Sequence, residues 1–190
     1  MRTLLHSLVD IHKQLKRDDH RKDNGDMSPT LFIDFEAFQC GEEDFQIKEL
    51  CILDAAAPLK PLYFMFKPSL PWDALNRDQK RTYAYQEHHV HHLSWNEGFR
   101  RYCRNCVAKQ IERVFPLVTV NSICYVLGKQ KVEYLQRELP MLNISEYEHA
   151  TSYNEILPAP AHLTCYYRNH SRKHCAVLKC YQLLSHYESL

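Results

Sequence analysis

The sequence predicts an α/β protein, a mixed β-sheet flanked by helices, with an N-terminal helical extension. Three observations predict it. Strand-like apolar runs follow one another at 31–38, 46–54 and 60–67. From residue 76 onward, helical and strand-like patterns alternate. Strands first and alternation afterwards indicate a sheet with helices on its faces. The chain has 190 residues, 45% of them hydrophobic and 25% charged, which suits one domain with a sizeable core.

The elements can be justified in order. Leu4, Leu8, Ile11 and Leu15 form one stripe of an amphipathic helix. The charged stretch KRDDHRKDNGDMSP (16–29) ends in Gly and Pro signals and reads as a linker. Residues 1–28 are therefore expected to be a helix and linker, and 29–190 the folded domain. The first two strands are separated by QCGEED, a hairpin turn. LKPLYFMFKP carries the third strand, closed by Pro68. Helices are predicted over 76–89 and over 100–115, the latter ended by Pro116. VNSICYVLG (120–128) reads as a buried strand. KQKVEYLQREL (129–139) is a helix stopped by Pro140, and another strand lies near 142–148. The last helix spans 174–187, with Ala176, Cys180, Leu183, Leu184 and Tyr187 on one side.

Charge and composition exclude some functions. The net charge is +1 with histidine neutral, so bulk charge predicts no generic polyanion-binding surface. No apolar run approaches the roughly 18–20 residues of a membrane span. The first 16 residues carry Asp and His in their apolar part and lack a small-residue cleavage site, unlike a signal peptide. A reducing compartment is expected, cytoplasmic (including perinuclear granules) or nuclear. There the eight cysteines act as core residues, metal ligands or reactive thiols.

The motif IDFEAF places Asp34 and Glu36 as an Asp-x-Glu pair on the first strand. Three strands opening this way resemble the exonuclease branch of the ribonuclease H-like fold, over roughly residues 30–187. In that family the Asp-x-Glu pair binds two divalent metals. A second Asp follows the fourth strand, and a His-x4-Asp motif lies on the last helix. The stretch HHVHHLSWNEGF (88–99) matches the family's histidine-glycine stretch only at its end, Leu93 and Ser94, without the glycine. In YVLGKQKVEYLQREL the expected Asp is Lys131, and in HCAVLK the histidine is His174 but the Asp is Lys179. An ammonium cannot ligate Mg²⁺ and repels it. At 4 Å and an effective dielectric near 20, two unit charges interact by about 4 kcal/mol, and a divalent ion doubles that. Magnesium or manganese is therefore not expected, and Asp34, Glu36 and His174 read as vestigial. Lys131 and Lys179 are expected to approach Asp34 or Glu36 in a buried or half-buried ion network. Glu133 is the one acid near Lys131, on a different helical face. A nuclease that still uses Asp34 and Glu36 is the competing reading.

A second group overlaps the third motif. TCYYRNHSRKHC (164–175) holds Cys165, His170, His174 and Cys175. Thiolate and imidazole suit Zn²⁺, which takes four tetrahedral ligands. Glu49 or Cys51 on the second strand can supply the ligand from across the gap. Buried thiols without a metal are the plainer reading. This combination resembles the Maelstrom domain, an exonuclease-like domain that has lost its catalytic carboxylates and carries a Glu-Cys-His-Cys zinc site. The resemblance implies structural zinc on Glu49, Cys165, His170 and Cys175, with His174 an alternative to His170. It also implies a part in piRNA-mediated silencing of transposons in the germline. The expected partner is single-stranded RNA or a protein of that pathway, a pure scaffold being the third reading. Lys131, Lys179, Arg168 and Arg172 lie in segments mixing basic and aromatic residues, which suits phosphate contact and base stacking. Two further motifs read as structural: the pair C-x2-C in YCRNC (102–106), and HHVHH (88–92), a solvated loop around a buried Val90.

Overall fold

The computed structural model describes residues 29–39, 45–115, 122–156, 158–159, 163 and 171–190. The helix and linker expected over 1–28 lie outside these residues, as do Cys165, Arg168 and His170. The elements run β1 (Thr30–Gln39), β2 (Phe45–Asp54), β3 (Leu62–Lys67), α1 (Arg77–Gln86), β4 (Arg100–Arg101), α2 (Arg104–Val114), β5 (Ile123–Val126), α3 (Lys129–Glu138), β6 (Asn143–Glu146) and α4 (Ala176–Glu188). They form one six-stranded mixed sheet in the order β4-β3-β2-β1-β5-β6. β1, β2 and β3 make an antiparallel meander. β5 runs parallel to β1, β6 to β5, and β4 to β3.

β1 is central, and its sequence LFIDFEAF is apolar on both faces because both are covered. Leu31, Ile33 and Phe35 pack with Val107 and Ile111 of α2 and with Val132 and Leu135 of α3. Phe32 faces the other way, onto Val177, Leu178 and Leu184 of α4. The alternation of side chains along a strand therefore puts Asp34 and Glu36 on the α4 face. Burying each such Phe, Leu or Ile contributes about 1.5–3 kcal/mol.

One irregularity shapes the middle of the sheet. Glu36 pairs with Glu49, but the next residue, Ala37, pairs with Ile47, so Lys48 is the extra residue of a β-bulge. The bulge lets Ile47 and Leu50 share one core although they are an odd number of residues apart. It also frees Lys48 to reach the 95–97 segment. Its ammonium donates to the carbonyls of Trp95 (3.0 Å) and Glu97.

Two segments differ from expectation. The helix predicted over 100–115 begins only at Arg104, because Arg100 and Arg101 pair with Phe66 and Lys67 as β4. Gly98 permits this. Its φ is +131°, and a Cβ there would overlap the Phe66 carbonyl. The pairing is a tertiary event that helix propensity does not encode. The HHVHH stretch is a π-turn (Glu87–His91) continuing α1, and His91 is the buried residue, not Val90. The His91 Nδ1 accepts the Leu93 N–H at 3.0 Å, and the ring stands edge-on to Phe38 with centroids 4.7 Å apart. α1 starts at a cap not singled out in the sequence: Asn76 and Gln79 form a reciprocal capping box. Among the described residues, no helix is long and apolar enough to cross a membrane.

Candidate functional site

Asp34 and Glu36 are buried beneath α4, and the site grows from the way three elements reach them. β5 pairs with β1 only as far as Phe32–Tyr125, so the β1 backbone beyond Phe32 is open on that side. Gly128, at φ +99°, turns the chain from β5 into α3. The first turn of α3 then carries Lys131 over this open end. Its Nζ donates to Asp34 Oδ1 and to the Phe35 carbonyl, both at 2.6 Å, and lies 4.9 Å from the centre of the Phe35 ring. From the opposite side, Lys179 projects from α4. It bonds Glu36 Oε1 and lies 3.8 Å from Asp34 Oδ2. Each lysine stands where the resemblance leads one to expect an aspartate, and each meets the acid that would hold metal.

The electrostatics follow from burial and pairing. Burial disfavours the Lys179 cation, but the Asp34 and Glu36 carboxylates overcome this and hold its pKa above the ordinary lysine value. His174 Nδ1 lies 3.9 Å from Glu36 Oε2. Burial lowers its pKa, with Lys179 adding to the effect and Glu36 opposing it. Near neutral pH it is therefore an uncharged neighbour of the acids. Glu133 is exposed and pairs with Lys129 at 3.8 Å, so it does not make up the missing carboxylate. The arrangement is a neutralised ion cluster. Mg²⁺ needs oxygen ligands at about 2.0–2.1 Å in near-octahedral order, and here ammonium nitrogens occupy the places beside those oxygens.

One participant was missed in the sequence. Tyr153 comes from the loop after β6, where no periodicity marks it. Its hydroxyl is buried, and Lys179 Nζ sits 5.1 Å from the centre of its ring. Burial, reinforced by the Asp34 charge, pushes the phenol well above its usual pKa. Tyr153 also lines an open cleft of about 600 Å³, with Asn154, Arg172, Lys173, His174, Lys179 and Gln182 among its other walls. Arg172 and Lys173 are exposed on it. Lys131 and Lys179 are engaged by the acids, as expected of them as neighbours of Asp34 and Glu36, and this draws them away from phosphate contact, their other expected role. Arg172 keeps an exposed guanidinium, although its Nη1 donates to the Leu163 carbonyl at 2.9 Å.

Of the four residues assigned to zinc, the described part contains two, and it brings them together. Glu49 is fully buried, and its Oε2 accepts the N–H of Ala176 at 2.9 Å. Ala176 opens α4 directly after Cys175, which is itself buried. Cys51, the alternative to Glu49, hydrogen-bonds Cys180 instead, and burial raises its pKa. His174 lies toward Glu36. Among the described residues, no group of three or more Cys, His, Asp or Glu side chains is placed to hold a metal ion. No known protein family matches the chain, and no curated protein matches it either.

Proposed function

We propose that this chain is a catalytically degenerate exonuclease-like domain of the ribonuclease H-like class, similar to the Maelstrom domain, and that it binds single-stranded RNA without cutting it. The observation that carries this reading is the pair of lysines closed onto Asp34 and Glu36. A cluster neutralised from within has no use for the two cations that phosphodiester hydrolysis would need. The antiparallel meander opening the mixed sheet supports the same class. The resemblance makes piRNA-mediated silencing of germline transposons the proposed setting.

The cleft beside the cluster supplies the binding surface in this reading. Arg172 and Lys173 meet phosphates, while Tyr153 and the neighbouring polar side chains shape the wall. Anisotropy with labelled single-stranded RNA tests it. The double variant Arg172→Ala/Lys173→Ala should bind all sequences more weakly, and its log K against log salt slope should fall by about 1.4, at roughly 0.7 per lost single-strand phosphate contact. Absence of RNA binding by the intact chain at low salt would favour a protein scaffold. Manganese-dependent cleavage that disappears in Glu36→Gln would overturn the degenerate reading in favour of a nuclease.

On the same resemblance we assign a structural zinc ion to Glu49, Cys165, His170 and Cys175. The meeting of Glu49 with the entrance of α4 supports this, and the position of His174 beside Glu36 leaves His170 for the metal. Zinc there would tie the 163–175 segment to β2. Elemental analysis of untagged protein should find one zinc per chain, and Cys165→Ser should lower both zinc content and melting temperature.

A further inference from the structure

A different group of reactive side chains sits at the start of α2, which packs on the other face of the sheet from α4. Cys103 is the residue that caps this helix. Its backbone is extended, and its Sγ accepts the Cys106 N–H at 3.3 Å. The Cys103 carbonyl also accepts the N–H groups of Cys106 and Val107, each at 3.0 Å. That turn holds the two Cα atoms within about 7 Å. A disulfide needs them at about 4.4–6.8 Å, so the two sulfurs can join without unwinding the helix.

Exposure separates this pair from the other described cysteines. Cys51, Cys124, Cys175 and Cys180 are buried, whereas Cys106 is exposed and Cys103 is half-buried. Arg100 and Arg101 are exposed on β4 just before the pair, Arg104 lies between the two cysteines, and Lys109 follows them on α2. Arg104 is held by Glu138 at 2.9 Å, while Arg100 and Lys109 lie near enough to act on the thiols.

The geometry points to a thiol–disulfide redox site at Cys103 and Cys106, one that reacts with a small anionic disulfide of the glutathione type. The two thiols differ as an attacking and a resolving sulfur should. The Cys103 pKa is lowered by hydrogen bonds from the Cys106 thiol and backbone N–H, whereas Cys106 is raised by the same contact with Cys103. In the reaction, the Cys103 thiolate attacks one sulfur of glutathione disulfide. An S–S bond forms to Cys103, and one glutathione thiolate leaves and takes up a proton. Cys106 then loses its proton and attacks the Cys103 sulfur, expelling the second glutathione. The protein dithiol is oxidised by two electrons, and one glutathione disulfide is reduced to two glutathiones. The nearby cations suit the carboxylates of that co-reactant.

The test is peptide-resolved mass spectrometry after equilibration of the native chain with glutathione disulfide. The wild type should show a Cys103–Cys106 cross-link with both thiols lost together. Cys106→Ser should trap glutathione on Cys103, and Cys103→Ser should leave Cys106 unmodified. At pH 7, Cys103 should alkylate faster than Cys106, in line with its greater thiolate fraction. The proposal is overturned if both residues of the wild type stay alkylatable. It is equally overturned if Cys103→Ser acquires glutathione on Cys106 as fast as Cys106→Ser does on Cys103. Both sites lie at the surface of an N-terminal helical turn, so neither serine variant removes core packing.

Discussion

Lys48 on β2 and Lys179 on α4 are both buried, and they are satisfied in opposite ways. Lys179 meets carboxylates, Glu36 directly and Asp34 at 3.8 Å. Lys48 meets the carbonyls of Trp95 and Glu97. The carboxylates of Glu97 and Glu87 act on Lys48 through their charge and form no ion pair with it. Burial depresses both lysines. At Lys179 the carboxylates reverse the effect and the pKa rises. At Lys48 burial wins and the pKa falls to about 8. Carbonyl dipoles satisfy an ammonium's hydrogen bonds, but only a full negative charge in contact repays the loss of water. The first arrangement neutralises two buried acids, and the second holds a loop to a bulge.

Breaking the first arrangement should have the largest effect. Lys179→Met removes half of the positive charge facing Asp34 and Glu36, and should lower unfolding free energy in urea by about 3–5 kcal/mol, the range for breaking a buried pair. Adding Glu36→Gln should restore part of that loss, with a coupling of about 0.5–3 kcal/mol. Additive losses would show that the two groups do not sense each other.

Breaking the second should cost less. Lys48→Met leaves two carbonyls without their donor, at about 1–3 kcal/mol for an unsatisfied buried group. The pH dependence sharpens the contrast. The folded Lys48 pKa lies below the ordinary lysine value of 10.5. The unfolded state therefore binds the extra proton, and this group's contribution to stability is lost as pH falls through about 8 and fully present above 10.5. Lys179 has the opposite sign, because its folded pKa is raised. Its contribution is present below 10.5 and is lost as pH rises through the higher folded value. Buried thiols, pushed up by burial in the folded state only, add a pH dependence of their own, so the informative quantity is wild type minus Lys48→Met. That difference should rise between pH 8 and 10.5, and a flat difference would contradict the assignment.

The smallest effect calibrates both. Lys129 lies two residues from Lys131 on α3, and its pair with Glu133 is exposed. Lys129→Ala should change stability by no more than about 0.5 kcal/mol, as exposed helix pairs do. A loss approaching that of Lys179→Met would mean that lysines in this chain act through bulk charge and not through the contacts described.

The sequence by itself determined the class of fold and the order of its parts. Apolar runs and Pro and Gly stops are local signals, and the strands and helices they mark lie within a few residues of those found. The resemblance read from the motifs also drew Asp34, Glu36, Lys131, Lys179 and His174 together and led one to expect the lysines near the acids, where they are found. Only the tertiary structure decided which lysine meets which acid, and from which side. Which face of β1 carries the acids, how the early end of β5 opens Phe35 to Lys131, and how α4 delivers Lys179 depend on contacts between residues far apart in sequence. The same holds for Tyr153, for the bulge at Lys48 and for β4, each fixed by a neighbour that no local pattern announces. Propensity acts over a few residues, while register, burial and charge pairing are settled only when distant segments close on each other.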